Sequence, residues 1–237
     1  MSRWTASGIH LLISVGIALL FITIMLMFWY PQPYFRASGA DRLLTILIGV
    51  DVVLGPLLTL IVFKAGKKTL KFDLSVIVFL QISALLYGAS VVWEARPVFM
   101  VFVVDRFELV AADEELAEAQ FPRFRSLSWT GPVIVAAEHP TDPQERQKIM
   151  FSAITGGKDL DRIPRYYVPF EERAKPLEKL LTLSESNKAL VEKEIAKLKR
   201  DAEQVGYVPL VARKFDMAML VDKQSGEPLT AVPVNPW

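Results

Sequence analysis

Three apolar runs within the first 95 residues constrain this chain more than any other feature of it. Gly8 to Tyr30, Leu43 to Phe63 and Phe72 to Trp93 each hold about 21 to 23 residues, enough to cross a hydrocarbon core of ~30 Å with some tilt. In lipid the backbone polar groups must find partners inside the protein, and a single apolar run of this length meets that need as a helix. The one ionisable side chain that interrupts the first run is His10, and Trp4 and Trp29-Tyr30-Pro31 supply aromatic anchors at its ends. A secretory signal peptide has a shorter apolar stretch and a small-x-small cleavage site behind it. Neither is found, so the first helix is expected to stay attached.

The hydrophobic content of 52% comes mostly from these 95 residues, and the remainder reads as an ordinary charged globular sequence. Residues 1 to 97 carry eight Lys/Arg against four Asp/Glu, whereas residues 98 to 237 carry nineteen against twenty-two. The second part is slightly acidic and lacks a basic stripe to neutralise a phosphate backbone, which argues against nucleic-acid binding. With no cysteine there is no disulfide framework, thiolate metal site or cysteine nucleophile. The expected architecture is a membrane protein with a three-helix transmembrane module, residues 1–96, followed by a small α+β periplasmic domain, residues 97–237.

Orientation follows from the connection between the second and third runs. Lys64, Lys67, Lys68 and Lys71 fall within eight residues that contain no acid, and Lys/Arg-rich short loops stay cytoplasmic. The N-terminus is then cytoplasmic, and the segment Pro31 to Arg42 and everything after Trp93 lie outside. For a bacterial protein this means the inner membrane and the periplasm.

Asp51 is the costliest residue in the membrane half. A carboxylic acid near the middle of a span is disfavoured by roughly 2.5 to 3.5 kcal/mol on insertion scales, so it must face protein. Helices rise about 1.5 Å per residue, which puts His10 more than about 10 Å from the level of Asp51 and brings Gln81, Ser83 and Tyr87 of the third helix closer in depth. Two roles stay open: Asp51 joins the second helix to Gln81 and Ser83 of the third, or it meets a polar group on a partner's transmembrane helix. Gly49, Gly55 and Pro56 flank it, and a kink or close helix crossing is expected there because Gly permits close approach and Pro removes a backbone donor. A transport pathway would use such a broken helix, but three spans without an internal repeat argue against it.

Glu94-Ala95-Arg96-Pro97 hands the third helix directly to Val98 to Val104, a β-branched and aromatic run too short to cross again. With no linker, the following domain is held close to the membrane. Asp113 to Gln120 reads as a short acidic helix and Pro132 to Ala137 as a buried strand. Asp142-Pro143-Gln144-Glu145 carries an N-cap and a proline at the first helical position, and Gly156-Gly157 ends that helix. Ser186 to Val205 reads as a longer helix whose stripe Val191, Ile195, Leu198, Ala202 and Val205 docks on the domain, with Gly206 as its stop. Tyr207 to Phe215, Asp216 to Asp222 and Pro228 to Val234 read as strands.

No nucleophile elbow, phosphate loop, dinucleotide fingerprint, zincin or EF-hand pattern occurs. Glu138, His139 and Asp142 could in principle hold a metal, but ahead of a capped helix they read as loop residues. No cofactor and no enzymatic activity are expected. Arg162, Arg165, Tyr166 and Tyr167 form a candidate surface for a partner or an anion.

Ser2-Arg3-Trp4, Ser7-Gly8-Ile9-His10-Leu11-Leu12, Trp29-Tyr30-Pro31 and Pro33-Tyr34-Phe35 are similar to the start of the TfpX/TfpZ family of type IV pilin accessory proteins. The resemblance continues through Gly49-Val50-Asp51, Leu54-Gly55-Pro56-Leu57-Leu58-Thr59-Leu60, Gly66-Lys67-Lys68, Phe72-Asp73-Leu74, Gln81, Tyr87-Gly88, Ala95-Arg96-Pro97-Val98 and Val104-Asp105-Arg106-Phe107-Glu108. It is dense over residues 2 to 110 and thinner beyond, at Arg165-Tyr166 and Pro169-Phe170. It implies a non-catalytic inner-membrane helper of type IV pilin stability, assembly or surface display, with pilin and the pilus assembly machinery as partners beside the lipid bilayer. From a different class, a membrane-anchored periplasmic ligand-binding or sensor protein would call for a cytoplasmic output domain. A membrane enzyme would draw on Glu94, Asp105 and Glu108, which read more simply as junction residues.

Overall fold

The computed structural model of the chain describes residues 2–112, 124, 126–174 and 185–237, the side chains of 185 and 186 excepted. Helix α1 (Arg3–Ile24) starts on Ser2, whose Oγ accepts from the Thr5 N–H, and continues as a π-helical turn, Met25–Trp29. A short helix α2 (Tyr34–Ala37) leads into the second span, made of α3 (Ala40–Ile48), a π-helical segment Gly49–Leu54, and α4 (Gly55–Val62). The third span is α5 (Leu70–Glu94). Arg3–Trp29, Ala40–Val62 and Leu70–Glu94 are each long and apolar enough to cross a membrane, which makes the chain a membrane protein.

The mixed α/β part that follows is a seven-stranded sheet. Its strands are β1 (Pro97–Val103), β2 (Arg106–Ala111), β3 (Val133–Ala137), β4 (Tyr167–Pro169), β5 (Val205–Val211), β6 (Met217–Asp222) and β7 (Pro228–Val232). They lie in the order β4-β3-β1-β2-β5-β6-β7, antiparallel except for the β1/β3 and β2/β5 pairs. β1 runs through the middle with both faces covered, which is why its sequence is continuously apolar instead of alternating. One face buries Met100, Phe107, Leu210, Met217 and Met219, and the other packs Phe99, Val101, Val135 and Tyr167 under Ile149 of helix α6 (Pro143–Ile154). Helix α7 (Glu185–Leu198) lays Val191 and Ile195 on Ala218, Leu220 and Val232.

Several elements differ from the sequence reading. β2 was not expected as a strand, because the turn before it, Val104-Asp105, has none of the glycine that marks a two-residue hairpin. Val104 takes the left-handed conformation at φ 56° instead. Helix α7 stops at Leu198, short of Val205: Lys199 adopts φ 53° and Asp201 caps a separate 3-10 turn, Ala202–Gln204. Val205 and Gly206 belong to β5, paired with Asp222 and Val221. The proposed helix at 113–120 lies outside the described residues. The start of α6 is as expected, with Asp142 Oδ1 accepting from the Gln144 N–H and Pro143 in the first turn.

Only Ala95 and Arg96 separate α5 from β1. Arg96 is buried, with its guanidinium 3.4 Å above the Trp93 ring and hydrogen bonds to the carbonyls of Trp93 and Ser128. Trp93 also touches Trp29 and Trp129 edge-on. The connection between the first two spans is clamped from the other side. Tyr34 and Ala37 pack into the sheet core, the Lys214 N–H donates to the Ala37 carbonyl at 2.8 Å, and Lys214 Nζ pairs with Asp41 at 2.5 Å.

Candidate functional site: a cleft between the spans

At the end nearest the sheet the first and third spans close on each other. Trp29 and Trp93 meet with ring centroids 5.1 Å apart, and Tyr30 Oη donates to the Val92 carbonyl at 2.8 Å. Toward the lysine-loop end they part, and a cleft of about 350 Å³ opens with the second span as its floor. Ala6, Ile9, His10, Ile13, Ser14 and Ile17 of α1 form one wall, and Leu74, Val78, Gln81, Ile82 and Leu85 of α5 the other. Asp51, Thr59 and Phe63 come from the second span.

The floor is irregular for a physical reason. In the π register around Asp51, the Asp51 carbonyl would look five residues ahead to the N–H of Pro56, which does not exist. An unmet carbonyl in lipid is costly, and Gln81 supplies the donor: its Nε2 lies 3.2 Å from the Asp51 carbonyl oxygen. Gln81 reaches that far because residue 55 is a glycine. A Cβ there would stand 2.0 Å from Gln81 Nε2. Ser7 Oγ donates to the Pro56 carbonyl at 2.9 Å, and His10 Nδ1 shares a 2.6 Å hydrogen bond with Thr59 Oγ1. Thr59 lies eight residues past Asp51, about 12 Å along the axis, in keeping with the depth expected for His10.

The Asp51 side chain is different. The residue is 7% exposed, and its Oδ1 is buried with no hydrogen-bond partner among the described residues. Of the polar pair expected on the third helix, Gln81 meets the Asp51 backbone, and Ser83 does not join: it is exposed and donates to the Phe79 carbonyl of its own helix. Tyr87 is also exposed. Gly49 has open space where a Cβ would stand, whereas at Gly88 a Cβ would come 2.6 Å from Leu47, so the close crossings are at Gly55 and Gly88. Sequence reasoning missed Ser7, His10, Ser14 and Thr59 as parts of this site. Ser7, His10 and Ser14 are spaced three and four apart, the spacing of one helix face, and that was the available signal.

Lys64, Lys67, Lys68 and Lys71 are exposed at the open end of the cleft's helices, with Lys67 paired to Asp73 at 2.6 Å. The patch expected at Arg162, Arg165, Tyr166 and Tyr167 divides. Arg165 stacks on Tyr166 and pairs with Glu145 at 2.7 Å, and Arg162 is exposed beside Asp161. Tyr167 is fully buried against Phe99 with its hydroxyl donating to the Asp161 carbonyl, so it is a core residue and leaves the candidate surface. A second, polar hollow of about 410 Å³ sits where β2 and β5 diverge, lined by Glu108, Asp161, Arg162 and Arg213. Burial pushes both the Glu108 and the Asp161 carboxyl groups above the ordinary carboxylate range, Arg106 and Arg162 opposing only in part.

Fold and cleft together define a membrane protein of three helices, with a mixed sheet clamped to one end of the bundle and a polar-floored groove at the other. The chain belongs to the fimbrial assembly protein family. It is 31% identical to the fimbrial assembly protein of serogroup I of Dichelobacter nodosus over 92% of this chain and 90% of that one. The serogroup E1 protein is 30% identical with the same coverage. The protein of serogroups C1 and C2 is 37% identical over 47% of this chain and 87% of its own length. The family described as Fimbrial assembly protein FimB matches residues 1–39. No solved structure matches.

Proposed function

We propose that this protein is a non-catalytic accessory factor of type IV pilus assembly, of the TfpX/TfpZ kind, that assists pilin stability, assembly or surface display. The observation that carries the reading is the family relationship along nearly the whole chain, membrane half and sheet alike. The cleft gives it a mechanism. Its walls offer apolar side chains to the hydrophobic N-terminal helix of a pilin subunit waiting in the bilayer, and the sheet domain, clamped at the membrane surface, meets the pilin head. The lysine loop supports an inner-membrane placement with the N-terminus cytoplasmic and the sheet domain periplasmic. Deleting the gene and measuring total pilin separately from sheared surface pili tests the reading: surface pili fall and return on complementation. Unchanged amounts of both would overturn it.

The polar hollow around Glu108 and Asp161 favours a second reading, a periplasmic ligand-binding role. A small polar ligand that raises the melting temperature of wild-type protein but not of an Arg162→Ala variant would support it.

A further inference from the structure

We infer that Asp51 is a recognition group: its free carboxyl oxygen receives a hydrogen-bond donor carried by the apolar membrane segment of the client held in the cleft. This rests on the proposed pilin-holding role and names the chemistry by which the cleft selects its occupant.

Three observations lead here. The interhelical bond that a structural Asp51 would make is made by its backbone carbonyl, which any residue at position 51 would supply to Gln81. The carboxyl group adds nothing to it: Oδ1 is buried with no hydrogen-bond partner among the described residues. An orphan acceptor at mid-span destabilises the free protein, and a residue kept at such a cost is explained by an occupant that relieves it. Finally, Asp51 lines the cleft, where His10 is already engaged with Thr59 and Gln81 with the second span, while Ser14 of α1 adds a hydroxyl to the same lining.

The occupant follows from the lining. A lipid acyl chain would cover the apolar walls and leave the carboxyl oxygen unsatisfied. A helix laid along the mouth between α1 and α5, inserting one row of side chains, covers the walls and brings a donor to the depth of Asp51. The donor is a hydroxyl, amide or ammonium group in an otherwise apolar segment.

The test uses full-length protein in its native membranes with its cognate pilin. A photo-reactive residue placed at Ile82, on the cleft wall, is expected to cross-link pilin, whereas one at Ile61, exposed elsewhere on the second span, is not. Asp51→Leu should lower the Ile82 cross-link about tenfold, the loss of one interhelical hydrogen bond in lipid. Asp51→Asn, which keeps an acceptor oxygen, should lower it less. The free Asp51→Leu protein should melt no lower than wild type, where a structural Asp51 would make it melt lower. Replacing the donor in the pilin segment should reproduce the loss and add nothing to it in the Asp51→Leu background. Cross-linking to pilin that ignores Asp51→Leu, cross-linking to lipid alone, or a destabilised free Asp51→Leu protein overturns the inference. A cleft that never cross-links pilin while gene deletion still abolishes surface pili overturns it and leaves the accessory role standing; pili unaffected by deletion remove the role itself.

Discussion

Residue 55 is a glycine because another residue's side chain occupies the place of its Cβ. Gln81 Nε2 would lie 2.0 Å from that atom, and it is there to satisfy the Asp51 carbonyl, left unbonded by the π register and by Pro56. Gly55→Ala therefore acts through Gln81: the amide moves aside and its bond to Asp51 is lost, at about 0.6 to 1.7 kcal/mol for an interhelical hydrogen bond in a membrane. Gln81→Ala should cost a similar amount, and the double variant little more than either single one, since one bond is lost in all three. Unfolding measurements in bicelles check this; additive losses would show that the two residues act independently. At this scale the sequence was partly legible. The cost of Asp51 and the need for a small residue at 55 were readable from residue type. Which atom of Asp51 met Gln81 was not, because that depends on the local helical register.

Single elements show the same division. Val98 to Val104 read as a buried strand because β1 is apolar on both faces, but β2 was hidden by a turn without glycine. That unforeseen strand carries the half-buried Glu108, which lines one hollow with the buried Asp161 of the neighbouring 3-10 turn Leu160–Arg162. Burial raises both carboxyl groups, so the folded state keeps protons that the unfolded chain has already released. Their contribution to stability is present in acid. It is lost as pH climbs from the ordinary carboxylate range, about 4, through the raised folded-state values. Thermal unfolding in detergent from mildly acidic to neutral pH should show this decline. It should flatten in Asp161→Asn, and in Glu108→Gln, which keeps an acceptor for Arg106.

For the whole molecule, the chain order understates how the two halves are joined. The proposed division into residues 1–96 and 97–237 follows composition, yet Tyr34 and Ala37, from the first half, pack into the sheet core beside Met100. Residues 97–237 expressed alone should consequently melt lower and aggregate more than the full-length protein in detergent. Equal melting of the sheet in both would show that the loop is dispensable. The orientation proposed from the lysine loop predicts that a C-terminal alkaline phosphatase fusion is active and a C-terminal fluorescent protein fusion is dark; the opposite pair of results inverts the topology.

Apolar run length and residue pattern were enough to determine three helices long enough to cross a membrane, a sheet-containing domain placed directly after them, and a costly acid at mid-span. Each of these depends on the chain's immediate solvent and on local periodicity, and both are written along the sequence. Tertiary structure alone decided that the first and third helices close near the sheet and part at the other end, that His10 pairs with Thr59, that Tyr167 is buried, and that Asp51 lines a cleft with its Oδ1 left without a partner among the described residues. Those outcomes rest on contacts between residues 30 to 70 positions apart, whose register and facing are set by packing and by the few donors available in lipid.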